Sequence, residues 1–118
     1  MSRGWFFVVP LVCVVGCGFP AAKLDEARGH VQKGLEAWKA GGKSADLRPV
    51  EFHEVMWENG EKLMSFEMGQ AKYAESAQAV RVEVKLTVRN KKGKERVENV
   101  TYDVTLGPPV KVVFNPMP

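Results

Sequence analysis

The sequence predicts an α+β fold in which one N-terminal helix packs on a curved antiparallel sheet of three to four strands. Three observations carry that prediction. Apolar residues recur at helical spacing between Lys23 and Ala40, and they later alternate strictly with polar residues in Val80 to Arg89 and again in Val100 to Leu106. A turn-forming Asn90-Lys91-Lys92-Gly93-Lys94 joins the two alternating segments. A helix with one apolar stripe and a sheet with one apolar face each need cover, and stacking them buries both.

Ahead of the helix stands a different kind of segment. Trp5 to Val15 is a nearly pure apolar run interrupted by Pro10, preceded by Arg3 and followed by Gly16-Cys17-Gly18. It is shorter than the roughly 17–25 residues of a spanning helix, and its order matches an export signal. The organisation read from this pattern is a leader over 1–16, a tether over 17–22, one domain over 23–115 and a tail over 116–118.

The domain reads as follows. Leu24, Ala27, Val31, Leu35 and Trp38 fall on one helical face, Asp25 and Glu26 in the first turn and Lys39 in the last suit the helix dipole, and Gly41-Gly42 stops the helix. Gly29 and Gly34 weaken it, so packing must hold it, and Gly34 is a place for a sheet to approach closely. Lys43 to Pro49 reads as a turn and Val50 to Val55 as a short strand or irregular edge. Trp57-Glu58-Asn59-Gly60 reads as a tight turn, and Leu63 to Met68 as a strand with Met64, Phe66 and Met68 on one side. After the two alternating strands, Gly107-Pro108-Pro109 turns the chain and Val110 to Phe114 closes the sheet.

Composition bounds the function. The chain has 118 residues, 45% hydrophobic and 26% charged, which suits one ordinary core. A formal charge of +3, one unit of it from Arg3 in the leader, is too weak to suggest nucleic acid as a partner. Both cysteines, Cys13 and Cys17, fall in the leader or at its end, so the domain has no internal disulfide.

Val14-Val15-Gly16-Cys17 resembles the lipobox of bacterial lipoproteins. The resemblance implies diacylglyceryl transfer to the Cys17 thiol, cleavage after Gly16 and anchoring of the exported domain on the cell membrane or outer membrane. Val14 departs from the commoner Leu. Cys13 does not fit, because the bulky Val12 precedes it. Cleavage nearby with release into periplasm or medium is the alternative. The order of one helix and then strands looks like a cystatin-like or NTF2-like roll. More narrowly, Leu35 to Gly41, Trp57, Gly60-Glu61-Lys62-Leu63, Gly93-Lys94 and Tyr102-Asp103-Val104 look similar to uncharacterised exported proteins of planctomycete-type bacteria, a family with no assigned activity.

Few residues invite chemistry. His53 beside Glu51 and Glu54 is a conceivable acid-base pair, although neighbours on a strand face opposite ways, and His30 reads as a solvent-edge helix residue. Asp103 beside Tyr102 resembles the carboxylate and phenol of isomerase relatives of that roll, but the alternation separates them. Tyr102 is then expected in the core with its hydroxyl at the rim. Gln78-Ala79-Val80-Arg81-Val82 matches a cystatin-type inhibitory hairpin except for the final glycine. No phosphate loop, metal-ligand spacing or nucleophile triad is present, so no cofactor and no enzymatic activity are expected.

Two surfaces stand out. Arg89, Lys91, Lys92, Lys94 and Arg96 cluster around one hairpin and suit anionic headgroups or another acidic partner. Trp57 with Met56, Met64 and Met68 is either core packing or an exposed patch. The function expected is a lipid-anchored binding or scaffold module of the cell envelope that meets a protein or polymer. A small-ligand-binding roll with isomerase- or hydrolase-like chemistry is the alternative.

Overall fold

The computed structural model describes residues 20–115. The leader, Cys17 and the C-terminal tail lie outside the described residues. Helix α1 (Ala21–Lys39) opens at Pro20, whose carbonyl accepts from the Lys23 and Leu24 amides at 3.0 and 3.3 Å. It buries Ala27, Val31, Gly34, Leu35 and Trp38, the face that the spacing predicts, but because it begins at Ala21 its first turn holds no acid and Asp25 and Glu26 fall in the second. Gly41, at φ +88°, ends it: the Gly42 amide bonds the Ala37 carbonyl at 2.8 Å and the Gly41 amide bonds that of Trp38 at 3.0 Å. This is a Schellman stop.

A 3-10 turn (Ser44–Leu47) follows, begun where the Asp46 carboxylate accepts from the Lys43 amide at 3.1 Å. Then come β1 (Glu51–His53), one helical turn α2 (Val55–Glu58), β2 (Lys62–Ala74), β3 (Ala79–Arg89), β4 (Glu95–Thr105) and β5 (Lys111–Asn115). They form one sheet of order β1-β5-β4-β3-β2. It has five strands rather than three or four, and it is mixed rather than wholly antiparallel, because β1 lies parallel to β5 with Phe52 opposite Val112. The expected tight turn at Trp57 is the end of α2.

β3 and β4 keep the predicted alternation. Val80, Val82 and Val84 stand opposite Val104, Tyr102 and Val100, and Leu86 and Val88 continue the same buried face opposite Glu98 and Arg96. β2 runs six residues beyond its predicted end. Irregularities between Leu63 and Ser65 and between Met68 and Ala71 each shift its phase, so Leu63, Phe66, Met68 and Ala71 all reach the core side. Met64 falls at the first irregularity.

The segment from β1 to β2 crosses from one sheet edge to the other. Phe52 leads it inward, 5.6 Å from the Trp57 ring and 5.8 Å from that of Tyr102, while Trp57 stacks on Trp38 at 5.8 Å. Both indoles donate to carbonyls, Trp38 to Glu61 at 2.8 Å and Trp57 to Gly42 at 3.1 Å. Met56 is buried and Trp57 and Met68 pack half-buried against the core, so these three are packing rather than an exposed patch, while Met64 is half-buried outside the core cluster.

The two helix glycines differ. A Cβ on Gly34 would stand 2.1 Å from Phe52 Cε2, whereas one on Gly29 would meet nothing within 4 Å. Gly34→Ala is therefore expected to lower stability by about 1–3 kcal/mol through overpacking. Gly29→Ala should leave it unchanged or raise it by up to about 1 kcal/mol. Urea denaturation of the two variants separates these outcomes.

Candidate functional site

The β3–β4 hairpin is held by Asn90. Its side-chain Oδ1 accepts from the amides of Lys92 and Lys94 at 2.9 and 3.0 Å, and its own amide bonds the Lys94 carbonyl at 2.9 Å. Gly93 takes φ +87°, which the turn needs and a side chain disfavours. The tip is thus fixed by backbone contacts and leaves its lysine side chains to solvent.

The five predicted cations divide into two groups. Arg89 donates from Nη2 to Glu95 at 2.6 Å. Arg96 lies 2.9 Å from Glu61 and 2.6 Å from Glu98, and its Nη2 also reaches Met56 Sδ at 3.4 Å. These carboxylates raise its pKa, hydrogen bonding to Glu98 first and to Glu61 second. Among the described residues no carboxylate lies within ion-pair distance of Lys91, Lys92 or Lys94, and all three are exposed. The Lys91 stem lies over Gly60, whose φ of +87° and lack of a side chain leave room for it.

Inside the domain is a polar pair that the sequence reading missed as a unit. Glu54 is 1% exposed and Tyr102 is fully buried. The Tyr102 hydroxyl donates to Glu54 Oε2, and the Met56 amide donates to Glu54 Oε1 at 2.9 Å, so the carboxyl caps α2 and ties it to β4. The Tyr102 hydroxyl is therefore in the interior, not at the rim. Burial is the largest cause raising the Glu54 pKa, assisted by Glu58 and Glu61 and opposed by its two hydrogen bonds. Burial also raises the Tyr102 pKa, with the charge and hydrogen bond of Glu54 adding to it. Glu54 shares strand parity with Phe52, and that parity was the available signal.

The remaining candidates are dispersed. His53 is exposed, 3.7 Å from Glu51 and on the face opposite to Glu54. Asp103 points away from the Tyr102 side and bonds Arg81 at 3.1 Å and Asn115 at 3.0 Å. His30 lies 3.9 Å from Glu26. Gln78 takes φ +50° in the β2–β3 turn and Val80 is in the core, so the inhibitor-like segment is not displayed as a binding edge. Among the described residues no group of three or more His, Cys, Asp or Glu is placed to hold a metal, and no helix is long and apolar enough to cross a membrane.

No protein-family model, curated protein or solved structure matches the chain. Its functional reading rests on its own residues.

The raised Glu54 pKa has a definite sign. The folded state holds this proton at pH values where the unfolded chain has released it, so stability falls as pH rises from the ordinary carboxyl value of 4.5 through the folded-state pKa. Over that window one proton contributes a slope of at most about 1.4 kcal/mol per pH unit. Glu54→Gln should remove this component from urea denaturation measured between acid and neutral pH. Tyr102→Phe, which leaves the buried carboxyl short of a partner, should cost about 1–3 kcal/mol.

Proposed function

We propose that the protein is a lipid-anchored, exported, non-enzymatic binding module of the cell envelope, and that the tip of the β3–β4 hairpin is its contact surface. The observation that carries this reading is the divided charge cluster. Arg89 and Arg96 are held by Glu95, Glu98 and Glu61, while Lys91, Lys92 and Lys94 project from a turn locked by Asn90. An ordered turn presents cations with little further ordering on binding.

The lipobox-like Val14-Val15-Gly16-Cys17 supplies the anchor in this reading. The N-terminal turn of α1 adjoins Gly69 to Ala71, whereas Trp38 at its other end bonds Glu61, beside the start of β2 that pairs with Arg89. The 19 residues of α1 span roughly 28 Å at about 1.5 Å each. The start of α1 thus stands at one end of the domain and the lysines at the other, and with Cys17 only a few positions before Pro20 in sequence this arrangement favours an acidic envelope protein or polymer over headgroups at the anchor. One helix lying on one face of a sheet agrees with a cystatin-like or NTF2-like roll. The interior of that roll is occupied by Leu35, Phe52, Glu54 and Tyr102, which weighs against a ligand held between helix and sheet.

Two measurements test the reading. Cys17→Ser should move the protein from the detergent phase to the aqueous phase, and equal partitioning of wild type and variant would defeat the anchor. On immobilised poly-glutamate, replacing Lys91, Lys92 and Lys94 by Gln should weaken retention about a hundredfold, at about 1 kcal/mol per lysine near an acidic surface. Replacing Lys72 and Lys111, which lie elsewhere on the sheet, should not. Unchanged retention of the hairpin variant, or stronger binding of wild type to anionic vesicles than to the polymer, would refute the surface as assigned.

A further inference from the structure

A second feature lies away from the hairpin, in the cleft between α1 and the segment 44–50. It has a volume of about 380 Å³, open on one side, and is lined by Glu26, Gly29, His30 and Lys33 on the helix side and by Asp46, Leu47, Arg48 and Val50 on the other. That volume falls in the range of about 300–1,000 Å³ typical of small-molecule sites.

The charges of the cleft are unevenly engaged. Glu26 lies 3.8 Å from Lys23 and 3.9 Å from His30, and Asp46 Oδ2 accepts from the Lys43 amide at 3.1 Å. Glu26 thus has a cationic partner in Lys23, and the Asp46 carboxylate is engaged by a backbone amide as the cap of the 3-10 turn. Among the described residues no carboxylate lies within ion-pair distance of Lys33 or Arg48, which are exposed on opposite walls. Leu47 and Val50, half-buried and packed against the core, supply apolar surface between them.

Gly29 is the independent observation. Gly34 is required by the Phe52 ring, but a Cβ at Gly29 would meet nothing within 4 Å, so packing gives no reason for a residue that weakens the helix. Its missing side chain is part of the open space of the cleft.

We propose that this cleft binds a small amphiphilic carboxylate, its charge between Lys33 and Arg48 and its apolar body over Gly29, Leu47 and Val50. Arg48 presents a planar fork that matches a carboxylate, and Lys33 adds a point charge. A doubly charged phosphate is disfavoured, because Glu26 and Asp46 flank the same space.

The test is a titration of the full chain with 3-phenylpropionate at neutral pH, followed by backbone amide NMR, with neutral 3-phenylpropionamide as comparator. The expected result is saturable shifts confined to Gly29, Lys33 and Leu47 to Val50. Arg48→Gln and the neutral comparator should each bind about tenfold more weakly, the size of one charge-assisted hydrogen bond. Gly29→Met should fill the cleft and abolish saturation while leaving the amide pattern of β3 and β4 unchanged, which shows that the fold persists. No saturable shift up to concentrations on the order of 20 mM, shifts confined to the hairpin lysines, or equal binding by wild type and Gly29→Met would overturn the assignment. Equal binding of acid and amide would also overturn it, since the cations would then play no part.

Discussion

Phe52 occupies the space that a side chain at position 34 would need, and much of the molecule is arranged around that contact. The ring sits between α1 and the sheet. It touches Trp57 edge-on and Tyr102 at a tilt, while Trp57 stacks on Trp38 and Tyr102 meets Phe114 at 6.1 Å. Aromatic pairs of this kind contribute about 0.5–1.5 kcal/mol each beyond the area they bury. The chain of five rings links the helix, the edge strand β1, the turn α2 and the strands β4 and β5. A three-residue strand has little hold of its own. With Phe52 seated, β1 lies beside β5 and the crossover to the other sheet edge begins at a fixed point.

The same placement explains a carboxyl in the interior. Two residues beyond Phe52, and on the same side of the chain, Glu54 enters a region where a charge is costly. It is tolerated because three polar needs are met together: the Tyr102 hydroxyl gains an acceptor, the Met56 amide gains a cap, and the carboxyl gains two donors. A helical turn of four residues is too short to persist alone. Glu54 and Met56 fasten it from within, and the Trp57 indole does so through Gly42. Ordinary apolar packing would hold this segment less specifically, because an unpaired Tyr102 hydroxyl would itself be a buried polar group without a partner.

The parts of this fold that repeat were legible in the sequence. The helix face from Ala27 to Trp38, the Gly41 stop, the alternation of β3 and β4 and the Gly93 turn are local patterns, and each is where its periodicity places it. The parts that depend on a distant partner were not legible. β1 is three residues long and pairs with a strand about sixty positions later, so no window of sequence contains both. β2 hid its length for another reason. Between its two irregularities its core residues are Phe66 and Met68, and after the second, at Gly69 and Gln70, the core residue is Ala71, so a period-2 reading loses phase there. Gly69 marks that place, since a Cβ would stand 2.9 Å from the Glu83 carbonyl.

The basic hairpin shows how a charge cluster in sequence differs from one in space. Five cations fall within eight positions, but Glu95 lies among them, Glu98 follows two residues after Arg96, and Glu61 arrives from the crossover. Exposed ion pairs add little to stability, about 0–1 kcal/mol each. Their effect here is on the surface: Arg89 and Arg96, nearer the body of the sheet, are neutralised, and positive charge remains only at the turn beyond them. A uniformly basic ribbon would attract acidic surfaces along its length. A neutralised stem with a cationic tip confines attraction to the tip and to partners that can meet it end-on. Because the crossover that supplies Glu61 is itself positioned through Phe52 and Glu54, the pattern of charge outside is set by the packing inside.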